Sequence, residues 1–120
     1  MYQISKEFHF SASHQLFGLE EGHPCGRLHG HNYIIRVEIV GEKVNEHGFI
    51  LDYNLLKPFG KWVDDTLDHK HLNDVLPFQP TAENMARNMA EVATKTLPLP
   101  EGCHISVAVS ETPKTWAAWK

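Results

Sequence analysis

Cys25-Gly26-Arg27-Leu28-His29-Gly30-His31 runs without a break into Asn32-Tyr33-Ile34-Ile35-Arg36-Val37-Glu38-Ile39-Val40. The second part is apolar and rich in β-branched residues, the composition of a strand. Side chains on a strand alternate faces, so His29 and His31 point one way, and Tyr33, Ile35, Val37 and Ile39 continue that face. Two imidazoles at i and i+2, at one end of an apolar face, make half of a metal site. Gly30 leaves the opposite face uncrowded, and Cys25 lies just upstream.

The N-terminus offers a third imidazole. Tyr2, Ile4, Phe8, Phe10, Ala12 and His14 share one face of a candidate first strand, with Lys6 its one polar exception. Gln3, Ser5, Glu7, His9, Ser11 and Ser13 occupy the other, as on a half-buried strand. If the two strands pair antiparallel, the end of the first meets the start of the second, and His14 meets His29. Three neutral imidazoles with one position left open are the ligand set of a catalytic zinc ion, Zn2+. With Cys25 as a fourth ligand the same residues would close a structural zinc site in a non-catalytic module.

Further along, Asn45 to Gly48 reads as a turn and Phe49-Ile50-Leu51 as a short returning strand. Asp52 is a candidate N-cap, and Leu55, Leu56, Phe59, Trp62, Val63 and Leu67 recur at helical spacing. Pro58 sits early enough to kink rather than break that helix. Asp68 to Asp74 reads as a polar link. Thr81 caps a second helix whose stripe is Met85, Met89, Val92, Ala93 and Leu97, ended by Pro98 and Pro100. Cys103 to Glu111 alternates as a strand, and Trp116 to Trp119 suits a last one. The expectation is one α+β domain over 1–120: an antiparallel four-stranded sheet with two helices on one face.

Composition bounds the function. The 120 residues carry a net charge of −4 and 42% hydrophobic residues, so no basic surface invites nucleic acid. No apolar run spans a membrane. Two cysteines are too few for a disulfide framework, and Met1 to Lys6 lacks the apolar core of a signal peptide, so a cytoplasmic setting is expected. Nine histidines are the compositional oddity, and they point to metal or proton chemistry.

Several side chains admit two readings. Cys25 is either an inert small hydrophobe or a thiolate favoured by a neighbouring cation. Asp68-His69 is either a helix-end link, where an imidazole suits the dipole, or a carboxylate orienting a base. Glu111 is either a frayed strand end or a carboxylate awaiting a ligand's N–H groups.

Taken together, Phe10-Ser11-Ala12-Ser13-His14, Cys25-x-x-x-His29-Gly30-His31-Asn32, Asp52, Leu67-Asp68-His69-x-x-Leu72-Asn73, Pro80-Thr81-x-Glu83 and Ser110-Glu111-Thr112 resemble the 6-pyruvoyl-tetrahydropterin synthase family. They most resemble its bacterial branch, which forms 6-carboxytetrahydropterin for queuosine and other 7-deazapurines. The resemblance implies a tunnelling fold in which the sheets of three subunits join into a barrel, and two such rings stack. It implies a homo-oligomer, trimer or dimer of trimers, acting on 7,8-dihydroneopterin triphosphate. It implies zinc on His14, His29 and His31, Cys25 as general base, Asp68 and His69 as proton relay, and Glu111 as pterin anchor with a share in that relay. Thr81 and Glu83 match a stretch lining the pterin pocket. The short Cys25-to-His29 spacing resembles the carboxy-forming branch, since the pyruvoyl-forming branch has a longer gap. Arg27 is a candidate for the triphosphate, because a guanidinium matches phosphate oxygens bidentately. Lys114 to Lys120 carries no motif.

Overall fold

A computed structural model describes residues Met1–Lys120. Two long strands, β1 (Tyr2–His14) and β2 (His29–Gly41), form its spine. They pair antiparallel along their whole length, from Tyr2 opposite Gly41 to His14 opposite His29. Thirteen paired residues at ~3.4 Å each make a ribbon about 44 Å long. The molecule is accordingly elongated, 56 × 25 × 23 Å.

The alternation predicted for both strands is present. Phe10, Ala12 and His14 on β1 and Tyr33, Ile35, Val37 and Ile39 on β2 are buried, while their odd-face neighbours stay at least partly exposed. Strand β4 (His104–Ser110) pairs antiparallel with β2 and adds Ile105, Val107 and Val109 to the same face. Strand β5 (Ala117–Trp119) follows antiparallel to β4, within the predicted last strand.

Helix α1 (Lys57–Thr66) and helix α3 (Ala82–Thr96) cover that face. Phe59 and Val63 from α1, and Met85, Ala86, Met89, Ala90 and Ala93 from α3, join the inward strand residues in one hydrophobic cluster. Burial of such side chains contributes roughly 1.5–3 kcal/mol each. Helix α1 lies close on the sheet at Gly60, where any added Cβ would meet the Phe8 ring at 3.1 Å. The Thr81 hydroxyl caps α3 by accepting from the Asn84 N–H at 3.2 Å. Asp52 caps a 3₁₀ turn, Tyr53–Leu56, and Pro58 stands at the start of the α-helix that follows. Leu55 lies on this 3₁₀ turn and is exposed.

Three expectations need correction. The sheet has five strands, not four: with β3 (Lys70–His71) at one edge their order is β3-β1-β2-β4-β5. The extra strand is β3 (Lys70–His71), within the stretch read as a polar link, and it pairs parallel with Ala12 and Ser13 of β1. The short helix α2 (Leu72–Val75) follows it directly. Phe49-Ile50-Leu51 forms no strand. Strand β2 already has β1 on one side and β4 on the other, so a segment returning beside it has no edge to pair with. Ile50 and Leu51 are buried as loop residues of the core instead. Strand β3 covers only Ala12 and Ser13, which leaves the rest of that edge of β1 without a neighbour.

Candidate metal centre and the residues around it

The β1–β2 register delivers the three predicted imidazoles to one point. His14 and His29 are cross-strand partners, and His31 is the partner of Ala12 one step along the same face. One ring nitrogen from each lies within 4.8 Å of the others. His14 is only 1% exposed, and its ring meets His29 and His31 edge-on.

The backbone around them dictates which nitrogens face inward. His14 Nδ1 lies 2.8 Å from the Pro80 carbonyl, and His29 Nδ1 lies 2.6 Å from the Arg27 carbonyl. A carbonyl only accepts, so both Nδ1 atoms carry the hydrogen in the neutral rings. Both Nε2 atoms then present lone pairs, and they are 2.9 Å apart. His31 Nε2 is buried with no hydrogen-bond partner and lies 3.8 Å from Glu111 Oε2. Two facing lone pairs and an unpartnered third nitrogen repel one another unless a cation stands between them. Nδ1–H on a carbonyl with Nε2 turned inward is also how metal-binding histidines are oriented. A tetrahedral zinc with bonds of ~2.0–2.1 Å needs ligand atoms about 3.4 Å apart, close to this spacing. The three histidines therefore fit a zinc ion.

Burial holds the His14 and His31 imidazoles below their ordinary value, so both are ready as neutral ligands. For His14 the Pro80 carbonyl pulls the other way, and for His31 the Glu111 carboxylate does. Beneath them Tyr33 is fully buried, stacked on Phe10 at 4.6 Å. Its hydroxyl has no partner, and burial together with Glu111 pushes its ionisation well above the ordinary phenol range.

Cys25 sits half-buried in a short 3₁₀ turn, Pro24–Gly26. His23 caps that turn, its Nδ1 accepting from the Cys25 N–H at 3.1 Å, and the Cys25 carbonyl accepts from the Leu16 N–H. The converging ligand group contains no sulfur, so within one chain the histidines are not closed by Cys25.

Asp68 and His69 do form a carboxylate–imidazole pair, with His69 Nδ1 3.0 Å from Asp68 Oδ2. The other Asp68 oxygen accepts from the Ser11 N–H at 2.9 Å, and the Ser11 carbonyl accepts from the His69 N–H. The Ser11 N–H, aided by His69, holds the Asp68 carboxyl below the usual carboxylate range. His69 adopts a left-handed backbone, φ 59°, which is uncommon outside glycine and marks functional sites more often than others. Its side chain is 82% exposed and makes no hydrogen bond to Cys25 in the same chain. Asn73 serves the neighbouring residue, bonding both backbone groups of Gln15. Residues 68–73 thus clamp the end of β1 from which His14 projects.

The remaining predicted residues are dispersed. Glu111 is half-buried just past β4, beside His31. Thr81 spends its hydroxyl on the helix cap, and Glu83 is exposed in the first turn of α3. Arg27 is exposed and lines a separate hollow with Leu16 and His23. The tail has a structural place: Arg36 lies over Trp116 at 4.3 Å, and Arg87 over Trp119 at 4.8 Å. No helix is long and apolar enough to cross a membrane.

The model of 6-pyruvoyl tetrahydropterin synthase matches residues 3–120. The chain belongs to the 6-pyruvoyl tetrahydropterin synthase family. A Bacillus subtilis relative, named 6-carboxy-5,6,7,8-tetrahydropterin synthase, is 29% identical over 99% of this chain and 85% of its own length. A Synechocystis relative of the same name is 40% identical over 72% of this chain and 70% of its own. The solved Caenorhabditis elegans 6-pyruvoyl tetrahydropterin synthase superposes with a TM-score of 0.85 at 29% identity, over 99% of this chain and 94% of that one. Synthase-family membership covers the whole architecture described above, helices and sheet together.

Proposed function

We propose that the chain is a zinc-dependent lyase of 7-deazapurine biosynthesis. With water, it converts 7,8-dihydroneopterin triphosphate to 6-carboxy-5,6,7,8-tetrahydropterin, acetaldehyde and triphosphate. One observation carries the reading: His14, His29 and His31 converge on one point, His14 and His29 with their lone pairs inward, in a chain whose relatives bear that enzyme's name. The short Cys25-Gly26-Arg27-Leu28-His29 spacing favours the carboxy-forming outcome over the pyruvoyl-forming one.

His14, His29 and His31 would hold the zinc, which supplies Lewis acidity toward side-chain oxygens of the substrate. The carbonyls of Pro80 and Arg27 keep two of the three rings oriented for it. Cys25, as thiolate, takes a proton from the substrate side chain. Asp68 holds the His69 Nδ1–H and leaves Nε2 to accept and return protons, with Asp68 itself staying ionised. Glu111 accepts hydrogen bonds from the amide and amino edge of the pterin and takes a share in the relay, and it stands 3.8 Å from His31 of the ligand set. Thr81 and Glu83 line the pterin side from the start of α3, and Arg27 offers a guanidinium to the phosphates.

We take 1–120 as one synthase domain acting in the cytoplasm as a homo-oligomer, a trimer or a stacked pair of trimers whose sheets join into a barrel. The uncovered edge of β1 and the exposed β5 suit such joining, since unpaired strand edges seek partners.

Fluorescence titration with a reduced pterin tests the binding part. Wild type binds, and Glu111→Ala weakens binding about tenfold or more, the scale of a lost charge-assisted bond. Equal affinity in Glu111→Ala removes the anchor.

A further inference from the structure

Strand β2 turns one face to the hydrophobic cluster, and Tyr33 is the polar exception in its buried run Tyr33, Ile35, Val37 and Ile39. The Tyr33 ring is fully buried and stacked on Phe10, the two planes only 5° apart. A phenylalanine would make the same stack and fill nearly the same volume. The hydroxyl has no hydrogen-bond partner, and a buried donor without one opposes folding. An orphan of this kind in a packed core calls for a function.

The register between β2 and β4 points to its partner. Ile35 is paired with Val109, and Ile34 with Ser110, the last pair of that ladder. Glu111 follows, so it comes opposite Tyr33. Ile35 and Val109 are both buried in the cluster, and two residues on from each the chain returns to the same face. Tyr33 and Glu111 are therefore neighbours on the face that carries His31. Two distances agree: the Tyr33 ring lies 5.3 Å from the His31 ring, and Glu111 Oε2 lies 3.8 Å from His31 Nε2. The Glu111 charge also acts on the Tyr33 phenol.

Both groups are unsatisfied. At 3.8 Å the carboxylate is beyond hydrogen-bond reach of His31, and it accepts no hydrogen bond from any other group of the chain. A His31 that holds a metal through Nε2 has no hydrogen there to give. The stack on Phe10 fixes the Tyr33 ring, whereas Glu111 is half-buried just past the end of β4 on a flexible side chain. Turning Glu111 joins an orphan acceptor to an orphan donor.

We propose that in the zinc-loaded protein the Tyr33 hydroxyl donates to the Glu111 carboxylate and so aims its remaining lone pairs at the pterin. Tyr33 is a positioning residue, acting through Glu111 rather than touching the substrate. The inference rests on the reading of Glu111 as pterin anchor given above.

The test is a double-mutant cycle on the zinc-loaded protein with Tyr33→Phe and Glu111→Ala, zinc content being measured in each variant. Fluorescence titration with unphosphorylated 7,8-dihydroneopterin reads the site, and the thermal midpoint reads the pair. Tyr33→Phe should keep its zinc and bind the pterin roughly three- to tenfold more weakly, the weight of one hydrogen bond. It should raise KM for the triphosphate substrate by a similar factor. In the Glu111→Ala background it should cause no further loss, because two residues that act as one unit are not additive. Unchanged affinity in Tyr33→Phe, the same loss again in Glu111→Ala, or loss of zinc would overturn the assignment. If wild type itself ignores the pterin, the anchor reading falls and the thermal midpoint decides the pair. A midpoint lowered by Tyr33→Phe only where Glu111 is present retains the hydrogen bond, and equal shifts in both backgrounds remove it.

Discussion

His14 Nε2 and His29 Nε2 stand 2.9 Å apart with no hydrogen between them, because each ring gives its one N–H to a backbone carbonyl. The register of β1 on β2 enforces this approach, since the two residues are direct cross-strand partners. Each of His14→Ala, His29→Ala and His31→Ala should therefore lose most bound zinc, as a site with three protein ligands has no spare one. Stripping zinc with a chelator should lower Tm and re-addition should restore it, because an ion that binds only the folded state stabilises it. Metal analysis and a melting curve check both, and full zinc content in any one variant removes that residue from the set.

Cys25 lies outside the converging ligand atoms, so its removal should spare the metal. Cys25→Ala should keep zinc and pterin binding but lose roughly 10²–10⁴-fold in kcat, the usual weight of a general base. A near wild-type rate would take the base assignment away from Cys25.

The left-handed backbone at His69 separates structure from chemistry. Asparagine tolerates this conformation and valine does not. His69→Asn and His69→Val should both lose about 10²-fold or more in kcat. Only His69→Val should also lose about 1–2 kcal/mol of stability in denaturant unfolding. Equal stability of the two variants would contradict a strained position.

Asp68 makes a prediction with a defined sign. The Ser11 N–H and His69 depress its folded-state value, so its stabilisation is present above the unfolded carboxylate value of ~3.9 and is lost as pH falls below it. The stability difference between wild type and Asp68→Asn should be constant above about pH 5 and shrink toward pH 3. A difference that grows on acidification would mean that the carboxylate is not the favoured form in the fold.

Much of this architecture was legible in the sequence for local reasons. Alternation placed His14, His29 and His31 on one buried face, and antiparallel pairing did the rest. The stops at Leu67 and Leu97 and the Thr81 cap follow from short-range chemistry. What escaped was non-local. Strand β3 is only Lys70–His71, too short to carry a period, and exists because Ser11 offers both backbone groups to residues 68 and 69. The phantom strand at Phe49-Ile50-Leu51 has adequate composition, yet nothing local reveals that β4 will take the place beside β2. The Nδ1 contacts to Pro80 and Arg27, which decide where the lone pairs point, depend on backbone carbonyls that no residue type announces.

Product analysis tests the central claim most directly. Purified zinc-loaded protein is incubated with 7,8-dihydroneopterin triphosphate, volatile aldehyde is trapped, and the pterin is identified by mass. The predicted result is acetaldehyde and 6-carboxytetrahydropterin in equal amounts, abolished by chelation and restored by zinc. A 6-pyruvoyl product without acetaldehyde, or turnover indifferent to zinc, would contradict it.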